Sequence, residues 1–208
     1  MKIGKTSFVL AAALAALPAA AAAQACNGFP TGPGQYSVAG VANFPSGYNE
    51  FGAEASYHFA GPGAVNGGIL HDSGDGASLD HLRIGGSWDL APLNVGMAHP
   101  VSVCPTAMVD YASKDGVTQT TVPLGVGLGL TLPLGADPRS QIMPYVVPAA
   151  VIDHISGDLG SDTQTNFGLR GGALVTFGSF YVGGEVSKVF GNLAPDALFG
   201  VKVGFRAR

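Results

Sequence analysis

Phe199-Gly200-Val201-Lys202-Val203-Gly204-Phe205 is the stretch from which the fold is read. In an extended chain successive side chains point to opposite faces. Phe199, Val201, Val203 and Phe205 therefore share one face, and Gly200, Lys202 and Gly204 share the other. Upstream, Phe167, Leu169, Gly171, Ala173, Val175 and Phe177 oppose Asn166, Gly168, Arg170, Gly172 and Thr176. Val122, Leu124, Val126, Leu128 and Leu130 oppose Gly125, Gly127, Gly129 and Thr131, while Phe51, Ala53, Ala55, Tyr57 and Phe59 oppose Gly52, Glu54, Ser56 and His58. Such one-sided alternation belongs to antiparallel strands with one apolar face.

Ten segments read this way: 35–44, 50–59, 63–72, 79–90, 99–111, 118–132, 141–153, 164–177, 179–190 and 196–206. Turn residues separate them, among them Pro45-Ser46-Gly47, Lys114-Asp115-Gly116, Gly135-Ala136-Asp137-Pro138 and Gly178. Gly supplies positive φ and Pro pre-sets its own. The longest connection on this reading is 154–163. Eight strands is the alternative count, because 63–72 alternates weakly and Pro100, Pro105, Pro123, Pro144 and Pro148 fall inside segments. Proline cannot donate to a ladder, so bulges or shifted boundaries are expected there.

Aromatic placement separates a lipid-facing surface from a protein core. Tyr36 and Phe44, Phe51 and Phe59, Phe167 and Phe177, Phe180 and Phe190, and Phe199 and Phe205 each close the two ends of one apolar face. Eight residues at about 3.3 Å, tilted about 40°, cover roughly 20 Å, close to the apolar band of roughly 25 Å between the aromatic girdles of a membrane barrel. With that face outward, Glu54, Arg83, Asp89, Asp110, Arg170, Glu185 and Lys202 point into the lumen, where opposite signs can pair. Arg170, Glu185 and Lys202 lie on three consecutive segments, with Glu185 expected between the two bases. Lys188 is the charge left at an outward position, near a strand end where it can snorkel.

Composition agrees. Only 12% of residues are charged, about half the share of soluble domains, and 32 are Gly. Mean hydropathy is +0.31, raised in part by the N-terminus. After that N-terminus no apolar run approaches the length of a spanning helix. The net charge of −4 argues against nucleic acid as a partner.

Met1-Lys2-Ile3-Gly4-Lys5 is basic, an apolar run extends from Phe8 to Leu17, and Ala23-Gln24-Ala25 fits a small-x-small cleavage site. Residues 1–25 thus read as a secretory signal peptide, with cleavage after Ala23 as the second choice. Residues 26–34, rich in Gly and Pro, read as a periplasmic N-terminal segment, and 35–208 as the barrel domain. Cys26 and Cys104 are an even pair in an oxidising compartment, which favours a disulfide between them. The alternative is a lipid on Cys26, although a lipoprotein leader places Leu three residues before its Cys and Ala23 stands there.

At this point the chain resembles the small outer-membrane β-barrel proteins of Gram-negative bacteria, the opacity-type group and related small barrels. The resemblance covers about residues 35–208 and rests on the leader, the even strand count and the last strand. It implies an all-β, antiparallel up-and-down transmembrane barrel with both termini periplasmic. In it Gly200, Val203 and Phe205 match the terminal assembly signal read by the barrel-insertion machinery. Leu198 replaces the polar residue that opens that signal, and Arg206-Ala207-Arg208 follow the aromatic that ends it.

No catalytic, cofactor or metal motif emerges. His58 with Ser56 and Glu54, or His81 with Asp80, are the candidates for a lipid-active enzyme, but Ser56 and His58 face inward. Asp72-Ser73-Gly74-Asp75-Gly76 lacks the length and the terminal Glu of a calcium loop and reads as an acidic turn. Cys26, Cys104 and His99 lack metal-ligand spacing. Ten strands enclose too little space for an open pore, and with Arg170, Glu185, Lys202 and the N-terminal segment inside, the lumen should be filled. The expected function is a filled barrel supporting the envelope, with outer-membrane lipid, lipopolysaccharide and the insertion machinery as partners. The alternatives are a surface ligand- or host-binding barrel and a lipid-active enzyme.

Overall fold

The computed structural model describes residues 25–208 except 46, 75–76, 91–92, 94–98, 100, 138, 159 and 192–196. Residues 1–24 of the expected signal peptide, Pro100 and parts of several expected turns lie outside the described residues. The strands are β1 (Tyr36–Phe44), β2 (Asn49–His58), β3 (Gly63–Gly74), β4 (Ala77–Trp88), β5 (Val101–Lys114) and β6 (Val117–Leu130). They continue with β7 (Leu132–Pro133), β8 (Ser140–Gly157), β9 (Gly160–Phe177), β10 (Phe180–Phe190) and β11 (Leu198–Ala207). Strands adjacent in the chain pair antiparallel except β6 and β7; β6 pairs with β8 instead, and β1 pairs with β11. The result is a closed up-and-down barrel of ten strands, with β7 a two-residue continuation alongside β8. Closure leaves no open sheet edge around the ring, the usual liability of a β-sheet.

Register sorts the aromatics into two rows on the outer surface. At one end Tyr36 faces Tyr57, and Phe180 faces both Phe205 and Phe177. At the other, Phe44 faces Phe199 and Phe167 faces Phe190, the latter rings stacked 5.7 Å apart. Between the rows the outer side chains are aliphatic, such as Ile69, Ile84, Val182 and Val203, and they are exposed. The inner face carries the buried residues Ala39, Leu70, Met143, Tyr145 and Leu174 beside charged ones. This is the inside–outside assignment of the sequence.

Three boundaries differ from the sequence reading. The weakly alternating 63–72 is a regular strand of 12 residues, so eight strands is excluded. The expected loop 154–163 is mostly strand: β8 and β9 are 18 residues each and stay paired from Ser140↔Phe177 to Gly157↔Gly160. Among the described residues, Pro105, Pro123, Pro144 and Pro148 cause no bulge. The β5–β6 ladder lapses opposite Pro123 and resumes at Asp110↔Thr121, and the β6–β8 ladder lapses opposite Pro148 and resumes at Leu128↔Val146, each in unchanged register. The missing N–H interrupts the ladder without inserting a residue.

Candidate functional site

The lumen is filled from one end by the N-terminal segment. Residues 26–34, expected from sequence to help fill the lumen, lie largely inside the barrel. Cys26, Asn27, Phe29 and Thr31 are all buried. Two glycines make room for the segment. On β6 a Cβ at Gly127 would collide with the Cys26 carbonyl oxygen. Gly28, at φ +74°, lies flat against the Tyr145 ring, where a side chain would find neither space nor an allowed backbone.

The plug is tied to most of the wall. Cys26 is disulfide-bonded to Cys104 of β5, with Cα atoms 6.0 Å apart. Arg170 Nη2 donates to Asn27 Oδ1 at 2.9 Å, and Arg206 Nη1 donates to the Pro30 carbonyl at 3.1 Å. His58, buried on β2, has Nδ1 3.3 Å from the Thr31 carbonyl and Nε2 3.2 Å from Asp89 Oδ2. Lys202 Nζ stands 5.1 Å from the centre of the Phe29 ring, an attractive cation–π placement. Non-reducing and reducing mass spectra of the mature chain should differ by two hydrogens, with one linked Cys26–Cys104 peptide. A lipid mass on Cys26 would overturn this arrangement.

Past the plug, an alternating chain of charges crosses the lumen. Asp110 Oδ2 accepts from Arg83 Nη2 at 2.7 Å and Nε at 2.9 Å. Arg83 Nη1 reaches Glu54 Oε1 at 3.4 Å. Lys202 Nζ lies between Glu54 Oε2, at 3.3 Å, and Glu185 Oε2, at 3.5 Å. Tyr145 Oη donates to Glu185 Oε2 at 2.7 Å. At the other end Asp110 Oδ1 meets His81 Nδ1 at 3.0 Å, and His81 Nε2 meets Asp72 Oδ2 at 2.9 Å. Each charged member has an opposite partner, the condition under which buried ions are tolerated.

The arrangement refines one sequence expectation. The charges of Lys202 and Arg170 both act on Glu185, but only Lys202 is ion-paired with it. Lys202 is the central group, between Glu54 and Glu185, and Arg170 hydrogen-bonds the plug instead. Sequence spacing sees neighbouring strands, but long side chains in a narrow barrel meet across the lumen. Tyr145 and Asn27 also escaped notice, the first because Pro144 and Pro148 blurred its strand.

A cavity of about 290 Å³ lies beside the chain, lined by Asn27, Arg83, Arg170, Glu185 and the apolar Val147 and Met108. On β11, Gly200 is buried and Val203 and Phe205 are exposed, so the three residues of the expected assembly signal divide between the two faces. Lys188 holds its outward register position opposite Leu169. His81 does not use Asp80, which instead meets His71 at 2.7 Å on the outer surface.

No family model matches the chain, and no curated protein matches it. Among solved structures it is similar to the N-terminal β-barrel domain of Pseudomonas aeruginosa OprF, with 10% identity, a TM-score of 0.41, and coverage of 85% of this chain and 100% of that one. It is also similar to the translocator domain of the autotransporter NalP from Neisseria meningitidis, with 12% identity, a TM-score of 0.40, and coverage of 98% and 96%. The attachment invasion locus protein Ail of Yersinia pestis, in complex with the heparin analogue sucrose octasulfate, matches at 12% identity and TM-score 0.31, with coverage of 83% and 96%.

Proposed function

We propose that this chain is a small barrel of the Gram-negative outer membrane, with both termini periplasmic and its lumen closed by its own N-terminal segment, and that it serves the integrity of the envelope. One observation carries the reading. Two aromatic rows bound an aliphatic outer surface while the charged side chains pair inside. Water around such a surface would leave large contiguous apolar area exposed, beyond what soluble monomers present. Lipid satisfies it. Outer-membrane lipid and lipopolysaccharide are the partners of that surface, and Gly200, Val203 and Phe205 address the insertion machinery.

The protein should fractionate with outer membranes, shift its gel mobility on heating, and give no stepwise conductance in planar bilayers. Release into the soluble periplasm without detergent would sink the membrane reading. Stable conductance would sink the closed lumen.

A second reading, a surface ligand-binding barrel, draws on the projecting part of β8 and β9. Their register runs from Ala150↔Phe167, at the aromatic row, on to Gly157↔Gly160. Its side chains are mainly polar and stand ready for a soluble partner. The enzyme reading has less to stand on. Among the described residues no serine hydroxyl is hydrogen-bonded to a histidine, and His154 meets Thr163, at 2.8 Å, with no carboxylate on its ring.

A further inference from the structure

We propose that Glu50, Asp72 and His81 form a binding site for a divalent transition metal, Zn²⁺ by the chemistry of its donors, at the end of the lumen opposite the plug. One ligand atom from each of the three lies within 4.8 Å of the other two. They come from three adjacent strands: Glu50 from the start of β2, Asp72 from near the end of β3, and His81 from early β4. Register fixes the cluster: Glu50 faces Asp72 directly across β2 and β3, and His81 faces Leu70, two residues before Asp72, across β3 and β4. Asp72 and His81 keep side-chain exposures of 15% and 16%, so an ion can enter from this end.

Three features go beyond a group of acids. First, His81 is oriented as metal-binding histidines are. Its Nδ1 faces Asp110 Oδ1 at 3.0 Å, and Asp110 is itself fixed by two bonds from Arg83. A carboxylate on one ring nitrogen directs the lone pair of the other toward a metal. Here the other nitrogen, Nε2, points at Asp72 Oδ2, 2.9 Å away. A neutral imidazole so tethered would oppose its lone pair to a carboxylate oxygen, so a cation must lie between them, either a proton or a metal ion.

Second, the carboxylates are under-satisfied. Asp72 Oδ1 is buried and has no hydrogen-bond partner among the described residues. Glu50 is only 4% exposed, and its one hydrogen bond among the described residues comes from Asn43. Buried carboxylates are normally paired or bound to metal.

Third, the charges do not balance. Among the described residues of the chain and its ends, Glu50, Asp72, Asp110, Glu54 and Glu185 stand against Arg83, Lys202 and the nearby Arg170. A proton on His81 supplies one of the two missing positive charges and leaves Glu50 and Asp72 Oδ1 as they are. A divalent ion supplies both and occupies the free oxygens. One imidazole and two carboxylates suit Zn²⁺, which also accepts water in a fourth position. Metal binding would displace any proton held on His81 Nε2.

The test uses the full mature chain folded in detergent, treated with EDTA and dialysed, then titrated calorimetrically with ZnCl₂. One Zn²⁺ per chain is expected. His81→Ala should remove binding from the titrated range. Glu50→Gln, which keeps the shape of the side chain, should weaken it at least about 10-fold. Asp110→Asn, which removes the carboxylate charge shared by His81 and Arg83 but none of the three ligands, should weaken it about 10–100-fold. His71→Ala, on the exposed outer pair, should leave it unchanged. The heat-dependent gel shift checks that each variant is folded, and Glu50→Gln serves if His81→Ala is not. Absence of binding by the wild type, or equal binding by wild type and Glu50→Gln, would overturn the site. Loss on His71→Ala alone would assign the zinc to the outer surface. A metal-free barrel that still fractionates with membranes would leave the membrane reading intact, so the two proposals fail separately.

Discussion

Lys202→Ala should lower the unfolding free energy of the barrel by about 3–5 kcal/mol, the cost of breaking a buried ion pair from one side. The side chain is 6% exposed, and its ammonium group lies between Glu54 and Glu185. Removing it leaves two buried carboxylates facing each other, with Arg83 ion-paired to the first only. Urea unfolding in lipid vesicles measures the loss. Lys202 also stacks over Phe29 of the plug, so part of the effect could come from packing. Lys202→Met keeps the aliphatic stem and removes the charge, and should still lose most of the stability. Adding Glu185→Ala to Lys202→Ala should recover part of it, because the surviving Glu54 retains Arg83. Glu185→Ala alone should cost less than Lys202→Ala, since Lys202 keeps Glu54. A neutral or stabilising Lys202→Ala would mean that the charges do not meet in the folded protein.

Val203→Arg should destabilise the protein in bilayers by about 2–4 kcal/mol. Val203 is 62% exposed, on the outer face of β11 between Phe199 and Phe205. In water an exposed valine would tolerate arginine within about 0.5 kcal/mol. In the middle of the apolar band the guanidinium must either leave water or drag it in. Ser161→Arg, on the projecting part of β9, is the control and should change stability by no more than about 0.5 kcal/mol. Equal, small effects at both positions would refute membrane embedding.

The fold was legible wherever the two faces of a strand meet different surroundings. On β11 and β10 apolar side chains alternate with Lys202, Glu185 and glycine, and period two marks the strand and its outward side at once. At the far end of β9, Gly160-Ser161-Asp162-Thr163 has water on both faces, so hydrophobicity carries no period and the strand reads as a loop. The site was legible as a list of inward charges and less so as a set of contacts. Parity tells which residues face the lumen. Which of them touch depends on stagger and on reach across the barrel, which is why Lys202 rather than Glu185 is central. The plug was invisible to pattern because Cys26 to Gly34 alternates nothing, and only the pairing of Cys26 with Cys104 pointed inward. Tyr145 shows the opposite limit. It sits at a regular inward position, yet two prolines close by argued against a strand that in fact tolerates them.

The grip of the last strand on the first residues dictates an order of assembly. Arg206 holds the Pro30 carbonyl across 176 positions of sequence, and Lys202 reaches Glu54 across 148. The disulfide spans only 78. Cys26 can therefore be fastened to Cys104 while the second half of the chain is still arriving. β11, which zips against β1, comes last and is also the strand that clamps the segment from beneath. Such long-range contacts form slowly, because the intervening chain must be restrained before they return anything. A ring that shuts with its stopper already tethered has no need to thread that stopper through a finished wall. A chain without the tether must place it and close the ring in the same slow step.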